Sequence, residues 1–309
     1  MVRKLEDKLF EYLKLFWLRP ENGIMCAFKS RVFEDIKIEG PSLDISCADG
    51  LFMFIHLGGS FGMDFDIFKA TKAKEFSHDK FVDIFDNFGQ GYVPSITQRP
   101  DSTMSFGTDW KQGLLDKAET LKLYDKLLLH DNNQVPMPLP DDYFKTVYSN
   151  SIYWVKDVDG LVRDIHRSMQ SGGRAILEVK TPSLLDTLDQ LEPVLSCEAI
   201  EILDRKRRET MPGSLPLAQW NELFKNAGFE IEDVRSVYPD KLLIDIWNIG
   251  LRPVGHLLVR MADAVSADER NAIKAEWVDI FFKLLNPLLK LKQTYTLDKA
   301  PYLCFVLRK

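Results

Sequence analysis

The chain has 309 residues, of which 45% are hydrophobic and 11% aromatic, so it can bury a substantial core in one elaborated domain or two. Its formal net charge of −6 is spread without long blocks of like charge, which argues against a nucleic acid as its partner. The four cysteines have no paired spacing, so we expect neither a metal site nor a disulfide framework, and a cytoplasmic location is favoured. No uncharged apolar run approaches the roughly 20 residues of a membrane helix, so no membrane span is expected.

Residues 1–39 are predicted to form a helical cover that precedes the main sheet. Apolar side chains recur on one helical stripe of residues 4–16, and this helix should end near Arg19-Pro20, because proline disfavours helical geometry in the residue before it. A second helix with an apolar face is expected over residues 22–36.

Residues 43–54, LDISCADGLFMF, predict a short apolar strand, a turn of small residues and the start of a helix. Turns of this kind are typical of nucleotide-binding proteins, since the backbone comes close to the ligand and free N–H groups face an anion. Such turns usually carry several glycines, whereas this one has only Gly50. The stretch therefore predicts a nucleotide-binding loop of unusual composition.

The regular pattern is lost over residues 58–105, which mix Gly, Phe, Asp and Pro without a sustained period. We interpret this segment as an inserted lid or a long irregular excursion. An excursion of this length inside a compact domain is more often functional than passive.

Alternating strands and helices follow this excursion. Strands are predicted in SFGTDW, KLLLHD, FKTVYSN and RAILEVK, with helices over residues 111–125 and 158–170, the second ending at Ser171-Gly172-Gly173. The alternation predicts an α/β fold with a largely parallel sheet and helices on both faces. In such sheets ligands bind beyond the carboxyl ends of the strands, where four polar residues lie. They are Asp44, Asp109, Asp131 and Asn150.

Residues 181–309 are predicted to complete the sheet and to add helices. The basic run DRKRRE (204–209) is typical of a solvated helix face, and a role in holding an anionic substrate is the alternative. Residues 217–237 predict a helix capped by Gly228 and then a strand. Residues 241–293 are mostly helical, a natural place for a substrate cover, and YLCFVLRK is a final strand.

Five motifs, in this order and spacing, resemble the class I S-adenosylmethionine-dependent methyltransferases (methyltransferase type 11-like). They are LDISCADG, FGTDW, LLLHDNNQVPMPLPDDYF, VYSNSIYWVKDVDGLVRDIHRSMQSGGRAILEV and WNELFKNAGF. The resemblance covers roughly residues 40–180 and 217–238.

The resemblance implies a Rossmann-like, mostly parallel seven-stranded sheet with helices on both faces, N-terminal helices and helical insertions. The chain would divide into the helical cover 1–39, a core that binds S-adenosylmethionine over 40–180, and a remainder, 181–309, with substrate-cover insertions. The 58–105 excursion would be an insertion within the core.

The resemblance also implies S-adenosylmethionine as the cofactor and assigns its contacts. Asp44 would orient the loop and the methionine amino group, Asp109 would bind the two ribose hydroxyls, and Asp131 and Asn132 would read the adenine. The implied cofactor-binding residues are Asp44, Ser46, Cys47, Ala48, Asp49, Gly50, Asp109, Trp110, Asp131, Asn132, Ser149 and Asn150. Tyr153 and Trp154 would face the transferred methyl group as substrate-binding walls, since aromatic rings suit a sulfonium cation.

Two departures from the family pattern concern the cofactor site. The first two motif glycines are replaced by Ser46 and Ala48, so we expect weakened or shifted packing against the cofactor rather than its loss. Asp64 lies at the more usual distance from the first motif and is the alternative ribose ligand. We favour Asp109, because the helix and strand after it continue the pattern without a break.

The implied activity is methyl transfer to a small-molecule or glycan-like acceptor, and the sequence singles out no catalytic base. A non-catalytic methyltransferase-like binding or scaffolding protein is the alternative. A nicotinamide-dependent oxidoreductase is disfavoured, because the loop lacks the G-x-G-x-x-G spacing. The apolar stripe over residues 277–291 indicates core packing or a homodimer contact.

Overall fold

The structure is a computed structural model that describes residues 4–69 and 92–309. It begins with the helices α1 (Leu5–Leu15) and α2 (Pro20–Val32), so the two predicted N-terminal helices are confirmed. The second helix starts at its proline, a position where the missing N–H costs no helical hydrogen bond. Leu9 and Leu13 are fully buried, which packs α1 onto the rest of the molecule.

A seven-stranded sheet lies at the centre of the fold. The described residues form nine strands, of which seven belong to this sheet. They are β1 (Ser42–Ile45), β2 (Ser60–Phe61), β3 (Ile96–Gln98), β4 (Met104–Asp109), β5 (Tyr124–Leu129), β6 (Phe144–Ser149), β7 (Met169–Lys180), β8 (Glu230–Ser236) and β9 (Tyr302–Arg308). The spatial order in the sheet is β5-β4-β1-β6-β7-β9-β8, while β2 and β3 form a separate antiparallel ribbon. The first five strands in this spatial order, β5, β4, β1, β6 and β7, pair in parallel. β9 is antiparallel to both of its neighbours, β7 and β8. The predicted mostly parallel α/β sheet is confirmed.

Helices cover both faces of this sheet. After the first two, the helices are α3 (Leu51–His56), α4 (Gln112–Leu121), α5 (Val158–Ser168), α6 (Asp186–Leu191), α7 (Cys197–Asp204), α8 (Leu217–Asn226), α9 (Lys241–Ile249), α10 (Gly255–Asp263) and α11 (Ala267–Leu285). Alternate residues of a strand face opposite sides. Accordingly Ile176 of β7 packs into the buried cluster with α1 to α4, whereas Ala175 and Leu177 pack with α5 and α8.

Two predicted boundaries were wrong. The helix expected over residues 111–125 ends at Leu121, and Tyr124 already belongs to β5, where it pairs with Met104. The pair Gly172-Gly173 does not end a helix either: α5 stops at Ser168, and the glycines lie inside β7 at a register shift. In both places hydrogen bonding to a neighbouring strand overrides the local helical pattern.

The 58–105 excursion is described only in part, because residues 70–91 lie outside the described ranges. In the remainder, β2 and β3 pair across the excursion. One buried cluster contains Leu13, Phe54 and Leu243, which belong to the three segments that the sequence separates. The division of the chain into these segments remains a prediction.

One described stretch, Lys241–Asp263, is long and apolar enough to cross a membrane by length and composition alone. Counting only uncharged runs had missed it. Here it is divided between α9 and α10, and four of its residues, Trp247, Arg252, Gly255 and His256, line a cavity. As a sign of a membrane span the stretch is weak, because a helical cover of a cavity has the same composition.

Candidate functional site

The loop between β1 and α3 keeps a glycine-like backbone with few glycines. Ser46 has φ 58°, Ala48 has φ 52° and Gly50 has φ 74°, all in the left-handed region. That region costs a non-glycine residue about 1–2 kcal/mol, so the surrounding contacts must hold the loop in place. The conformation explains why glycine is the usual residue at these positions.

Hydrogen bonds from two neighbouring strands hold this loop. The Cys47 N–H donates to the Thr108 carbonyl at 2.8 Å, and the Ala48 N–H donates to Asp109 Oδ2 at 3.1 Å. Asn132 Nδ2 donates to Ser46 Oγ at 2.8 Å. The loop is therefore fixed by the last two residues of β4, which runs beside β1 in the sheet, and by a residue that follows β5.

Asp44 lies beneath the loop. Its Oδ2 accepts a 2.6 Å hydrogen bond from the Tyr124 hydroxyl, and the carboxyl is almost fully buried. Burial raises the pKa of Asp44 to about 7, a rise that the Tyr124 hydrogen bond opposes and the nearby Asp109 charge reinforces. In the described structure this carboxyl does not line the cavity, and it supports the loop from below.

Asp109 is at the carboxyl end of β4, where its two oxygens accept from the Ala48 and Lys111 N–H groups, the latter at 3.0 Å. It lines the cavity, and burial raises the pKa of its carboxyl. The alternative ribose ligand, Asp64, is exposed and is not among the described residues that line the cavity. The geometry thus places Asp109 beside the loop and Asp64 apart from it.

Asp131, Asn132 and Asn133 form the next part of the cavity wall, after β5. Asp131 Oδ1 accepts from the Asn133 backbone N–H at 2.9 Å, and this bond lowers the pKa of Asp131. Asn132 is buried, and its Oδ1 has no hydrogen-bond partner in the described structure. A buried acceptor without a partner beside a nucleotide-type loop fits a ligand that brings an N–H donor, as adenine does.

The residues after β6 divide into supports and walls. Ser149 Oγ donates to the Ile45 carbonyl at 2.9 Å, and Asn150 Nδ2 donates to the Tyr148 hydroxyl at 3.2 Å. Neither lines the cavity among the described residues, whereas Tyr153 and Trp154 do. Tyr153 is buried and Trp154 is 50% exposed, so the two predicted wall residues stand at the inner and outer parts of the cavity.

The cavity has a volume of about 660 Å³ and opens at the carboxyl ends of β1, β4, β5 and β7. Of the predicted cofactor residues, the cavity is lined by Ser46, Ala48, Asp49, Asp109, Trp110, Asp131 and Asn132. The others, which support the loop and the strand ends from within the protein, are Asp44, Cys47, Gly50, Ser149 and Asn150. A contact of any of them with a cofactor remains a prediction.

The opposite end of the cavity is lined by basic and aromatic residues, of which the sequence suggested a ligand-binding role only for Arg205 and Arg207, as the alternative for DRKRRE. They are Arg19, Lys29, Lys180, Arg205, Arg207, Tyr238, Trp247, Arg252 and Tyr302. Lys180 ends β7, so the rule that sites lie at strand ends would have found it. No local pattern marks the rest.

The prediction that DRKRRE forms a solvated helix face was wrong for Arg207. Helix α7 ends at Asp204, Arg205 takes a left-handed conformation, and the chain turns Arg207 inward until it is 1% exposed. Arg207 donates to Asn248 Oδ1, and its guanidinium stacks 4.0 Å from the Trp247 ring centroid. Burial, and then the charges of Arg252 and Arg19, lower the pKa of Arg207 to about 9.

Comparison with known proteins gives the following matches. Residues 88–177 match the methyltransferase domain family Methyltransf_11. The chain is similar to an S-adenosylmethionine-dependent methyltransferase from Mesorhizobium loti, with 14% identity, 94% of this chain and 100% of that chain covered, and a TM-score of 0.48. It is also similar to a putative methyltransferase from Haloferax volcanii, solved in complex with the Trm112 methyltransferase activator, with 14% identity, 99% and 97% coverage and a TM-score of 0.47.

A third similar structure is a putative sarcosine dimethylglycine methyltransferase from Galdieria sulphuraria, with 13% identity, 94% and 86% coverage and a TM-score of 0.46. No curated protein matches the chain. The family match covers β4 to most of β7, the part of the sheet that carries Asp109 and Asn132. Residues 88–177 therefore carry the match to a methyltransferase domain, and this family implies S-adenosylmethionine as the cofactor.

Proposed function

We propose that the protein is an active methyltransferase that transfers the methyl group of S-adenosylmethionine to a small-molecule acceptor. The observation that carries this proposal is one continuous cavity with two unlike ends. The loop end presents Asp109 and the unpartnered Asn132 Oδ1, and the far end presents Tyr153 with basic and aromatic neighbours. A cofactor and an acceptor would therefore meet inside one continuous cavity.

Methyl transfer from a sulfonium is an in-line displacement: an acceptor lone pair forms the new bond to carbon, and the electron pair of the broken C–S bond stays on sulfur. The protein contributes alignment and the exclusion of water, which together can supply much of the rate. Tyr153 is 6% exposed, and it lies between the Lys180 ammonium, 3.8 Å from its ring centroid, and Tyr302. Aromatic walls of this kind suit a methyl group that carries partial positive charge in transit.

The cofactor assignment is tested by comparing Asp109→Ala with Asp64→Ala. Asp109→Ala is expected to weaken the binding of S-adenosylhomocysteine about tenfold or more, because a carboxylate that binds a vicinal diol makes charge-assisted hydrogen bonds. Asp64→Ala removes the same charge from an exposed position and is expected to leave the affinity unchanged. Isothermal titration calorimetry measures both, with the melting temperature as a check on folding.

Three results would contradict this assignment. If the effects of the two substitutions are reversed, the ribose ligand is Asp64. If the wild-type protein binds neither S-adenosylmethionine nor S-adenosylhomocysteine at millimolar concentration, the protein is a non-catalytic relative. If it binds both but methylates no acceptor from an extract of small metabolites supplied with labelled methyl donor, the proposal of catalysis fails.

A cytoplasmic location is part of the proposal. All four cysteines are free thiols in the structure, and Cys26, Cys47 and Cys304 are held within the fold without a disulfide partner. This supports a reducing compartment. Recovery of the protein in the soluble fraction of lysed cells is expected, and recovery in a washed membrane fraction would contradict it.

A further inference from the structure

Charge is distributed unequally along the cavity. The three carboxylates that line it, Asp49, Asp109 and Asp131, lie at or after the ends of β1, β4 and β5 at the loop end, where one cation, Lys111, also lines the cavity. The wall at the other end carries six cationic side chains. These are Arg19, Lys29, Lys180, Arg205, Arg207 and Arg252. In a chain with a net charge of −6, this wall is locally and strongly positive.

Two of these cations share one aromatic ring, and one of the two, Lys180, also reaches the predicted methyl-transfer position. The Arg207 guanidinium carbon lies 4.0 Å from the Trp247 ring centroid, and Lys180 Nζ lies 5.8 Å from the same centroid. Lys180 Nζ is also 3.8 Å from the ring centroid of Tyr153. The ammonium thus stands between the aromatic wall of the transfer site and the buried guanidinium.

Neither cation has a carboxylate partner in the described parts of the chain. Arg207 donates only to Asn248 and to the Trp247 carbonyl, and its Nε is buried without an acceptor. Lys180 is 7% exposed and contacts aromatic rings, while Lys29, Arg207 and Arg252 lower the pKa of its ammonium further after burial. Buried like charges without a counter-ion are costly, and an anion bound between them would remove that cost.

The nearby carboxyl groups do not supply this counter-ion. Glu21 forms an ion pair with Arg19. Burial raises the pKa of Glu178, on β7 itself, to about 8, so this group is mostly protonated at neutral pH. The negative charge of Asp204, on α7, favours the charged form of Arg207 by raising its pKa. In the described structure, however, Asp204 forms no ion pair with Arg207 and does not line the cavity.

The cofactor does not match this wall as a whole. S-adenosylmethionine has one carboxylate against a sulfonium and an ammonium, so its net charge is positive. A single carboxylate needs one of the six cations, and the sulfonium beside Tyr153 would add to the positive charge around Lys180. The anion that the wall attracts is therefore expected on the other ligand.

We propose that the methyl acceptor carries an anionic group, a phosphate or a carboxylate, that binds between Arg207 and Lys180 beside Trp247. This inference rests on the proposed function, because it names the class of acceptor for the same cavity. The anionic group would anchor the acceptor, and the rest of the molecule would extend past Tyr153 towards the cofactor. Guanidinium and ammonium groups together suit an anion with several oxygens.

The test is the binding of anions to the protein loaded with S-adenosylhomocysteine, measured by calorimetry at low ionic strength. Pyrophosphate and inorganic phosphate probe the phosphate arm, and malonate and acetate probe the carboxylate arm. We expect the anions of one arm to bind. Lys180→Met and Arg207→Met should each weaken the affinity for that anion about tenfold or more, and added salt should weaken it as well. Lys206→Met, which removes one exposed positive charge from the same basic run, is the matched control and is expected to have no effect.

The remaining outcomes are distinct from one another. If Lys180→Met and Arg207→Met weaken S-adenosylhomocysteine and no anion binds, the cations serve the cofactor carboxylate and the inference is overturned while the proposed function stands. If Lys206→Met weakens the anion equally, binding is non-specific and the inference is again overturned. If the wild-type protein binds no S-adenosylhomocysteine, the proposed function fails, and the same anion titrations on the free protein still decide whether this wall is an anion site. Should Arg207→Met not fold, Lys180→Met, which keeps the aliphatic stem, decides the matter alone.

Discussion

At the scale of single residues, the loop between β1 and α3 shows that a left-handed backbone conformation can occur at positions without glycine. Ser46 and Ala48 both have positive φ, but they differ in what their side chains do. Ser46 Oγ accepts a hydrogen bond from Asn132, whereas the Ala48 methyl group has no hydrogen-bonding role. Replacing Ser46 with glycine would therefore relieve backbone strain but remove this hydrogen bond, whereas replacing Ala48 with glycine would only relieve strain.

Ala48→Gly is accordingly expected to raise the free energy of unfolding by up to about 1 kcal/mol, the left-handed penalty less the entropy that glycine adds to the unfolded chain. Ser46→Gly should raise the free energy of unfolding by less, because it also removes the hydrogen bond from Asn132. The control is Ala275→Gly, at an exposed position in the interior of α11, which should lose roughly 0.5–1 kcal/mol. Urea denaturation measures all three, and a loss for Ala48→Gly as large as the control would show that the left-handed conformation is not strained.

The same residues show what the sequence could predict about the site. Asp109 and Asn132 follow strands with a clear apolar pattern, so their positions at the sheet edge could be derived from the order of letters alone. Arg207 could not, because whether a basic run is solvated depends on which distant segment covers it. Here that cover is Trp247 and Asn248, far along the chain.

At the scale of elements, the transition from α5 to β7 shows why a double glycine was misinterpreted. Glycines are common after helices, so Gly172-Gly173 indicated a helix end. In the structure a Cβ on Gly173 would lie 2.9 Å from the Gln170 carbonyl oxygen and 3.0 Å from that of Phe144, so the glycine allows β7 to approach β6. Gly172 has φ +76° and open space around it. The pair thus meets two different requirements within one strand.

Alanine substitutions separate these two requirements. Gly172→Ala should cost about 1 kcal/mol, from the left-handed conformation alone. Gly173→Ala should cost more, about 2–3 kcal/mol, because three backbone oxygens must move apart. The comparison uses the denaturant midpoint at constant m value, and equal losses for the two variants would contradict the close approach of β6 and β7.

At the scale of the whole molecule, a buried ion pair joins parts of the chain that are far apart in sequence. Arg270 Nε of α11 lies 2.8 Å from Asp66 Oδ2, and both side chains are almost fully buried. Breaking a buried pair typically costs about 3–5 kcal/mol, and we expect the lower end here, because Arg270 Nη1 keeps a second partner, Asp263 Oδ1, at 2.6 Å. Helices α10 and α11 are therefore expected to unfold in the same cooperative transition as the segment around Asp66, which follows β2.

Asp66→Asn is expected to lower the free energy of unfolding by about 3 kcal/mol while unfolding stays a single transition. Asp279→Asn, in the exposed pair with Lys283 on the same helix, should change it by no more than about 0.5 kcal/mol. Thermal unfolding followed by both circular dichroism and tryptophan fluorescence gives the result. Two separate transitions in Asp66→Asn would mean that the late helices unfold as a unit of their own.

The order of the strands also determines when the site can exist. β9 lies between β7 and β8 and joins β8 to the sheet, while its first residue, Tyr302, lines the cavity. During synthesis on the ribosome, every strand from β1 to β7 can pair before this residue has emerged. The cavity wall is completed only when Tyr302 enters the sheet, so a nascent chain can form the loop between β1 and α3 well before it can form the complete wall of the cavity.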